Sequence, residues 1–327
     1  MSEIARRDIG DPAMHRACVA AIAFSILWSL RLGATDDVPE VSAQVPPVEE
    51  VLVEAPEPRY VAPTLRDRIG RVWVPVMING QGPFRLVLDT GATSSAIVKS
   101  VADRLKLTLD PASALRLQGA TGEATVPYVY AEQMEVGDLL ISRTRLPIVP
   151  DVFGGAEGVL GTQGLADKRV HMDFRHDLIE INFARGKPRP TDVSIVKFEL
   201  ARGRLTTFTV MIGGVRTKAI IDTGAQQTIG NNRLRELLLL RKRKAEDADV
   251  IGVTLDVTQG ESIGVPPIAL GSVEVRNLHI TFGEMPIFAY WQLTREPALL
   301  IGMDMIGTLE TFTIDFKRRE LYLRARR

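Results

Sequence analysis

A single cysteine, Cys18, lies near the N-terminus of a chain of 327 residues. An intrachain disulfide and a cysteine-ligated metal site are therefore excluded. Histidine is almost as scarce. The four (His15, His171, His176, His279) are scattered, and His171 and His176 lie five apart in an extended region, without the i, i+4 spacing of a helical zinc site. They read as surface or core histidines, and no metal or cofactor is expected. Net charge is missing too: 40 Lys plus Arg balance 40 Asp plus Glu. With no global field to draw the protein to nucleic acid, a nucleic-acid partner is not expected. The chain is long enough for two ordinary domains, each with a core of its own.

Long apolar runs are absent apart from one of moderate length. Residues 17–30 follow Arg6, Arg7 and Arg16 and have about the length of a secretory h-region, short of a usual membrane span. Export is the expectation, to the periplasm or the exterior, with residues 1–34 serving as signal peptide or membrane anchor. Gly33-Ala34 offers a small-residue cleavage site, whereas Arg31 beside it favours an uncleaved anchor in the inner membrane. Both outcomes stay open. Residues 35–63, rich in Pro, Glu and Val and without a helical period, read as a linker.

What the chain does contain is a repeat. Leu86-Val87-Leu88-Asp89-Thr90-Gly91-Ala92 returns as Ala219-Ile220-Ile221-Asp222-Thr223-Gly224-Ala225. The surroundings return as well. Val76-Met77-Ile78 matches Val210-Met211-Ile212, Gly158-Val159-Leu160-Gly161 matches Leu299-Leu300-Ile301-Gly302, and Val170-His171-Met172-Asp173-Phe174 matches Phe312-Thr313-Ile314-Asp315-Phe316. The offset runs only from 133 (Asp89 to Asp222) to 142 (Val170 to Phe312). Landmarks in one order at nearly one offset indicate a duplicated fold, with halves at 64–187 and 196–327 joined by 188–195.

Each half reads as strand-rich. Residues 71–78 predict a strand, 79–83 a hairpin turn and 84–88 the returning strand, which sets Asp89 just past a strand end. Gly91 falls where the chain must turn and bring backbone N–H groups near the carboxylate, and Thr90 has a hydroxyl able to bond across to the other copy. Residues 98–105 have a helical spacing; 232–244 predict a longer helix with a solvated basic end, Arg241-Lys242-Arg243-Lys244. Gly119, Ala120, Thr121, Gly122 and Glu123 form a Gly-punctuated stretch between extended runs. It reads either as the tip of a mobile hairpin over a cleft or as an ordinary exposed turn. Residues 255–261, with Gln259-Gly260, take that place in the second half.

These motifs resemble the retropepsin-like aspartic proteases, the superfamily of retroviral proteases and pepsins, over most of residues 70–325. The resemblance implies a mainly β fold of two homologous β-barrel lobes in one chain, an intramolecular pseudo-dimer with a cleft between them. It implies that Asp89 and Asp222 are the catalytic pair of an aspartic endopeptidase acting on polypeptides. Thr90 and Thr223 would interlock beneath them, Gly91, Ala92, Gly224 and Ala225 would shape the turns, and residues 119–123 would form a flap. The chain departs from pepsins in lacking disulfides, in having Ala after both glycines and in offering no secure flap tyrosine; Tyr128 and Tyr130 lie past the tip. Gln226-Gln227 against Thr93-Ser94 makes the cleft asymmetric.

Two carboxylates a few ångström apart cannot both ionise, so one proton is shared and the pair titrates as a unit. The expected chemistry is general acid–base hydrolysis without a covalent intermediate, at a less acidic optimum than pepsin's because Ala92 and Ala225 carry no hydroxyl. A monomer with pseudo-two-fold symmetry is expected. Two other readings stay open: an exported binding or sensor module that keeps the fold without catalysis, and a dimer with sites shared between chains.

Overall fold

The computed structural model describes residues 25–27, 61–63, 71–109, 114–186, 191–201, 205–239 and 244–326. The fold is mainly β, and the helices among these residues span only four to six residues each. In the first half Trp73–Ile78 and Gln81–Leu88 form the expected antiparallel hairpin. Gln81–Leu88 runs parallel to Gly158–Leu160, which pairs with Ala96–Val98; that strand runs parallel to Leu139–Val149. Leu139–Val149 pairs with Glu123–Val136, and Glu123–Val136 returns to Trp73–Ile78. Six strands thus close into a barrel. Alternation of apolar and polar residues aims Val74, Val76 and Ile78 inward, all fully buried.

The second half follows the same path through Leu205–Ile212, Val215–Ile221, Ala298–Ile301, Ile229–Gly230 and His279–Phe282. Its barrel is interrupted. Where the first half has one strand of 14 residues, the second has Val257–Gly264 and Ile268–Leu270. Between these lie Pro266 and Pro267, which have no N–H to give a ladder.

The halves are joined by a six-stranded sheet. Lys168–Asp173 pairs with Leu309–Asp315 at the centre, setting His171 opposite Thr313. Leu178–Phe183 and Glu320–Ala325 flank them, and Val61–Pro63 and Ser194–Lys197 form the edges. Both edge strands begin within segments that read as linkers. One face of this sheet buries Val170, Met172, Ile179, Ile181, Phe312, Ile314, Leu321 and Leu323 in a core that continues through both halves. At roughly 1.5–3 kcal/mol per fully buried side chain of this size, that face makes the two halves one cooperative body.

One expectation is corrected by the local structure. The helix after Asp222 spans only Asn232–Leu237. It starts sharply because Asn231 Oδ1 accepts the Leu234 N–H at 2.9 Å. It stops because Leu239 takes a left-handed conformation, φ 53°, at a site 82% exposed. The leucine run extends the helical signal as far as Leu239, whose exposed side chain gives it no core to pack on. Lys244 lies before the next strand, and Arg241, Lys242 and Arg243 fall outside the described residues. Of residues 17–30 only Ser25–Leu27 is described, as a short strand against Arg116–Gln118.

Candidate active site

Each aspartate sits where a strand ends against a parallel neighbour. Asp89 N–H donates to Leu160 O at 2.9 Å and Asp222 N–H to Ile301 O at 3.0 Å. The chain then turns back on itself. Oδ1 of Asp89 accepts the N–H groups of Gly91 (2.8 Å) and Ala92 (2.9 Å); Oδ1 of Asp222 accepts those of Gly224 (2.9 Å) and Ala225 (3.0 Å). One oxygen of each carboxyl is thereby fixed. The other, Oδ2, is buried without a hydrogen-bond partner in either residue.

The two turns face each other. A β-carbon on Gly91 would lie 2.8 Å from Asp222 Cγ, and one on Gly224 would lie 2.3 Å from Asp89 Cγ. Glycine is therefore required at both places by the opposite carboxyl, not by backbone angle. Beneath them the threonines cross as the sequence leads one to expect. Thr90 Oγ1 donates to Ile221 O at 2.9 Å and accepts Thr223 N–H at 3.1 Å; Thr223 Oγ1 donates to Leu88 O at 2.7 Å and accepts Thr90 N–H at 3.1 Å. Four buried bonds tie the halves together at the pseudo-axis.

Both aspartates are fully buried. Burial first, and then the charge of Asp222, hold the Asp89 carboxyl well above the usual range. Burial pushes Asp222 up to about 6, opposed by the facing Asp89 carboxyl, by the N–H groups of Gly224 and Ala225, and by the positive charge of Arg71. The pair thus holds a proton at mildly acidic pH and titrates jointly.

Arg71 breaks the symmetry. Trp73 pairs with Val87, two residues before Asp89, and Thr207 pairs with Ile220, two before Asp222. By that register the counterpart of Arg71 is Leu205. Both are buried, at 8% and 6% exposure, and the Arg71 guanidinium lies 6.0 Å from the centre of the Phe153 ring. Sequence reading missed Arg71, because its significance depends on the register of two hairpins.

A hairpin tip from each half meets the other. Ala114–Gln118 and Glu123–Val136 form a hairpin whose tip is closed by Gly119 N–H donating to Gly122 O at 2.7 Å. Gly119, Ala120 and Thr121 are buried there, Gly122 is half-buried and Glu123 is exposed, paired with Arg116. The stretch is packed against the other half and is not an exposed turn. Ala120 packs into an apolar cluster of the second half with Ile220, Ala225, Met285 and Trp291. Tyr128 and Tyr130 lie along the strand beyond, stacked with Arg145, away from the tip.

The second tip is at residues 252–256, not 255–261. Gly252 N–H donates to Asp256 O at 3.2 Å and Leu255 N–H to Gly252 O at 3.0 Å. Gln259 and Gly260 lie inside a strand, opposite Asp249 and Ala248. Gly260 is glycine because a β-carbon would meet Thr281 Cγ2 at 2.8 Å and Phe282 O at 2.9 Å. Close packing there imitates a turn signal. A further asymmetry lies at residues 283–297, where the second half carries the helix Pro286–Tyr290 and buries Met285, Ile287, Phe288, Tyr290, Trp291 and Leu293.

No curated protein matches the chain. An aspartyl protease family model matches it twice, over residues 74–163 and 208–305. Each match runs from the hairpin strand through its own Asp-Thr-Gly-Ala to the apolar-apolar-Gly strand, and together they cover more than half of the 327 residues. A repeated motif, a repeated strand path and a repeated family match agree, and the chain belongs to the aspartyl protease family as a retropepsin-like member with two tandem lobes.

Proposed function

We propose that this chain is an aspartic endopeptidase in which Asp89 and Asp222 activate water between the lobes. The observation that carries the reading is the pair of carboxyls itself. Each has one oxygen fixed by two backbone N–H groups and one left unpartnered, and each is fully buried against the other. Burying two ionisable groups together without satisfying them is costly for a structural element and useful for proton transfer.

The resting pair carries one proton. The ionised carboxylate takes a proton from water as the water oxygen bonds to the scissile carbonyl carbon, and the protonated partner donates to the carbonyl oxygen. The dyad then passes a proton to the amide nitrogen and recovers one from a hydroxyl of the gem-diol intermediate as the C–N bond breaks, so acid and amine products leave and the pair again holds one proton. Protons balance without a covalent intermediate. Arg71 favours charge on Asp222, which makes Asp222 the base that meets water and Asp89 the acid that meets the carbonyl. Thr90 and Thr223 hold the two turns in register but touch no reacting atom. Export, with residues 17–30 as signal or anchor, places this chemistry outside the cytoplasm, and one chain carries a whole site.

The test is cleavage of unfolded casein by the full chain, with Asp89→Asn and Asp222→Asn as controls. Wild-type cleavage abolished by either substitution is expected. Equal cleavage by all three, or by none, overturns the reading in favour of a binding module. Mixing the two inactive chains distinguishes sites within a chain, which stay inactive, from sites shared between chains, which recover.

A further inference from the structure

The two hairpin tips meet reciprocally. A β-carbon built on Gly252 would lie 2.2 Å from Thr121 Oγ1, and one built on Gly119 would lie 3.4 Å from Thr254 Oγ1. Gly119 and Gly252 are 133 residues apart, as are Thr121 and Thr254, and this is also the separation of Asp89 and Asp222. The threonines are therefore counterparts under the same pseudo-two-fold relation as the aspartates. Each is set against the glycine of the opposite tip.

Their hydroxyls are idle in this closed arrangement. Thr121 is 6% exposed, and the Oγ1 atoms of Thr121 and Thr254 are both buried without a hydrogen-bond partner. The N–H groups of Gly119, Gly252 and Leu255 bond to carbonyls inside their turns, and Gln118 Nε2 donates to Gly122 O at 3.2 Å, while Gln118 Oε1 is a third buried tip atom without a partner. The flanking tip residues Ala120 and Val253 are apolar and buried. Two orphaned hydroxyls on the roof thus accompany two orphaned carboxyl oxygens on the floor. Buried polar atoms without partners are rare in native proteins and point to a missing ligand group.

We propose that Thr121 and Thr254 are substrate-positioning residues of the roof. An entering peptide parts the tips, and each hydroxyl turns from the opposite glycine to donate to a backbone carbonyl of the peptide, one on either side of the scissile bond. This rests on the endopeptidase reading. The chemistry recognised is an extended main chain, whose carbonyls recur at regular spacing whatever the side chains. Two donors related by a pseudo-two-fold axis suit such a ligand and leave side-chain selection to the walls.

The experiment compares the full chain with Thr121→Val, Thr254→Val, the double valine variant and the two serine variants, on a fluorogenic octapeptide. Valine keeps the shape and removes the hydroxyl; serine keeps the hydroxyl. Each valine substitution is expected to lower kcat/KM by about tenfold, mainly through KM, as loss of one hydrogen bond would. Serine variants stay within about twofold of wild type. Thermal midpoints of the valine variants are expected at or above wild type, because an unpaired buried hydroxyl has been removed; a purely structural threonine would give the opposite. Unchanged KM in the valine variants, or serine variants as slow as valine ones, overturns the proposal. A second readout separates it from the endopeptidase reading: binding of an uncleavable reduced-amide peptide to the Asp89→Asn chain. Weaker binding on adding Thr→Val supports the positioning role even if wild type cleaves nothing, and unchanged binding overturns it.

Discussion

Gly224 stands so close to Asp89 that a β-carbon on it would lie 2.3 Å from the carboxyl carbon, and the obstacle is a buried, doubly hydrogen-bonded group. Nothing there can swing aside. Gly224→Ala is therefore expected to push the two turns apart, costing about 1–3 kcal/mol of stability from overpacking. A displacement of even about 1 Å costs on the order of 10²-fold in rate. Gly91→Ala, facing Asp222 Cγ at 2.8 Å, should behave alike but more mildly. Circular-dichroism melts beside kcat measurements would check both, and an alanine variant with wild-type kcat would refute the stated proximity.

The threonine crossing supports a stability prediction. In Thr223→Val the Leu88 carbonyl loses its donor and the Thr90 N–H its acceptor, both buried. Leaving a buried polar group unsatisfied costs about 1–3 kcal/mol each, so a total loss of roughly 2–6 kcal/mol is expected. Thr223→Ser keeps both bonds and should lose about 1 kcal/mol, for the missing methyl. Urea unfolding of the three chains distinguishes these, and equal losses for Val and Ser would show that packing dominates.

The dyad also makes stability depend on pH. Both carboxyls have raised folded-state values, so between the unfolded value of 3.8 and about 6 for Asp222 the folded state binds more protons than the unfolded one. Stability from this source is full below that window and falls as pH rises through it. For Asp222 the shift corresponds to about 3 kcal/mol, with Asp89 extending the decline to higher pH. Other carboxylates act oppositely: Asp173 is lowered by its His176 hydrogen bond and by backbone N–H groups despite the opposing effect of burial, so it loses stability on acidification. The difference between wild type and the Asp89→Asn/Asp222→Asn chain isolates the dyad. That difference should shrink or reverse from pH 7 to pH 4 in denaturant titrations; a constant difference would contradict the raised values.

Much of this was legible in the sequence because duplication preserves what register demands. Val76-Met77-Ile78 and Val210-Met211-Ile212 occupy the same strand of their hairpins, and the glycines and threonines around each aspartate are held by contacts across the pseudo-axis. What was illegible depends on tertiary packing. Gly260 imitates a turn because Thr281 and Phe282 crowd it. Leu238 and Leu239 continue the apolar run past the helix end at Leu237, but Leu239 is left exposed in a left-handed conformation. Val61–Pro63 hides in a proline-rich stretch because an edge strand tolerates proline that a central strand would not.

Arg71 is testable through the pH profile. Its positive charge acts on Asp222, whereas its counterpart Leu205 brings no charge. Removing it in Arg71→Leu withdraws support from the ionised form of Asp222. The acidic limb of kcat/KM is then expected to move to higher pH, while Leu205→Met leaves it in place. Because Arg71 is buried, added salt should not restore the wild-type profile. An unmoved acidic limb in Arg71→Leu would remove the basis for naming Asp222 as the base.

The tips of the roof give opposite expectations for two glycines. A β-carbon on Gly122 would lie 1.9 Å from Asp256 Oδ2, the end of an exposed side chain that can rotate into water. One on Gly252 would lie 2.2 Å from Thr121 Oγ1, and Thr121 is buried on a β-branched side chain with few rotamers. Neither glycine has a positive φ, so alanine fits the backbone at both and only the neighbours differ. Gly122→Ala should be nearly silent. Gly252→Ala should wedge the tips apart and expose amides of residues 118–123 and 252–256 to solvent. Hydrogen exchange over those two segments measures this directly, and about tenfold faster exchange corresponds to a weakening of closure by about 1.4 kcal/mol. Equal exchange in both variants would mean that the tips are not held by the Thr121–Gly252 contact.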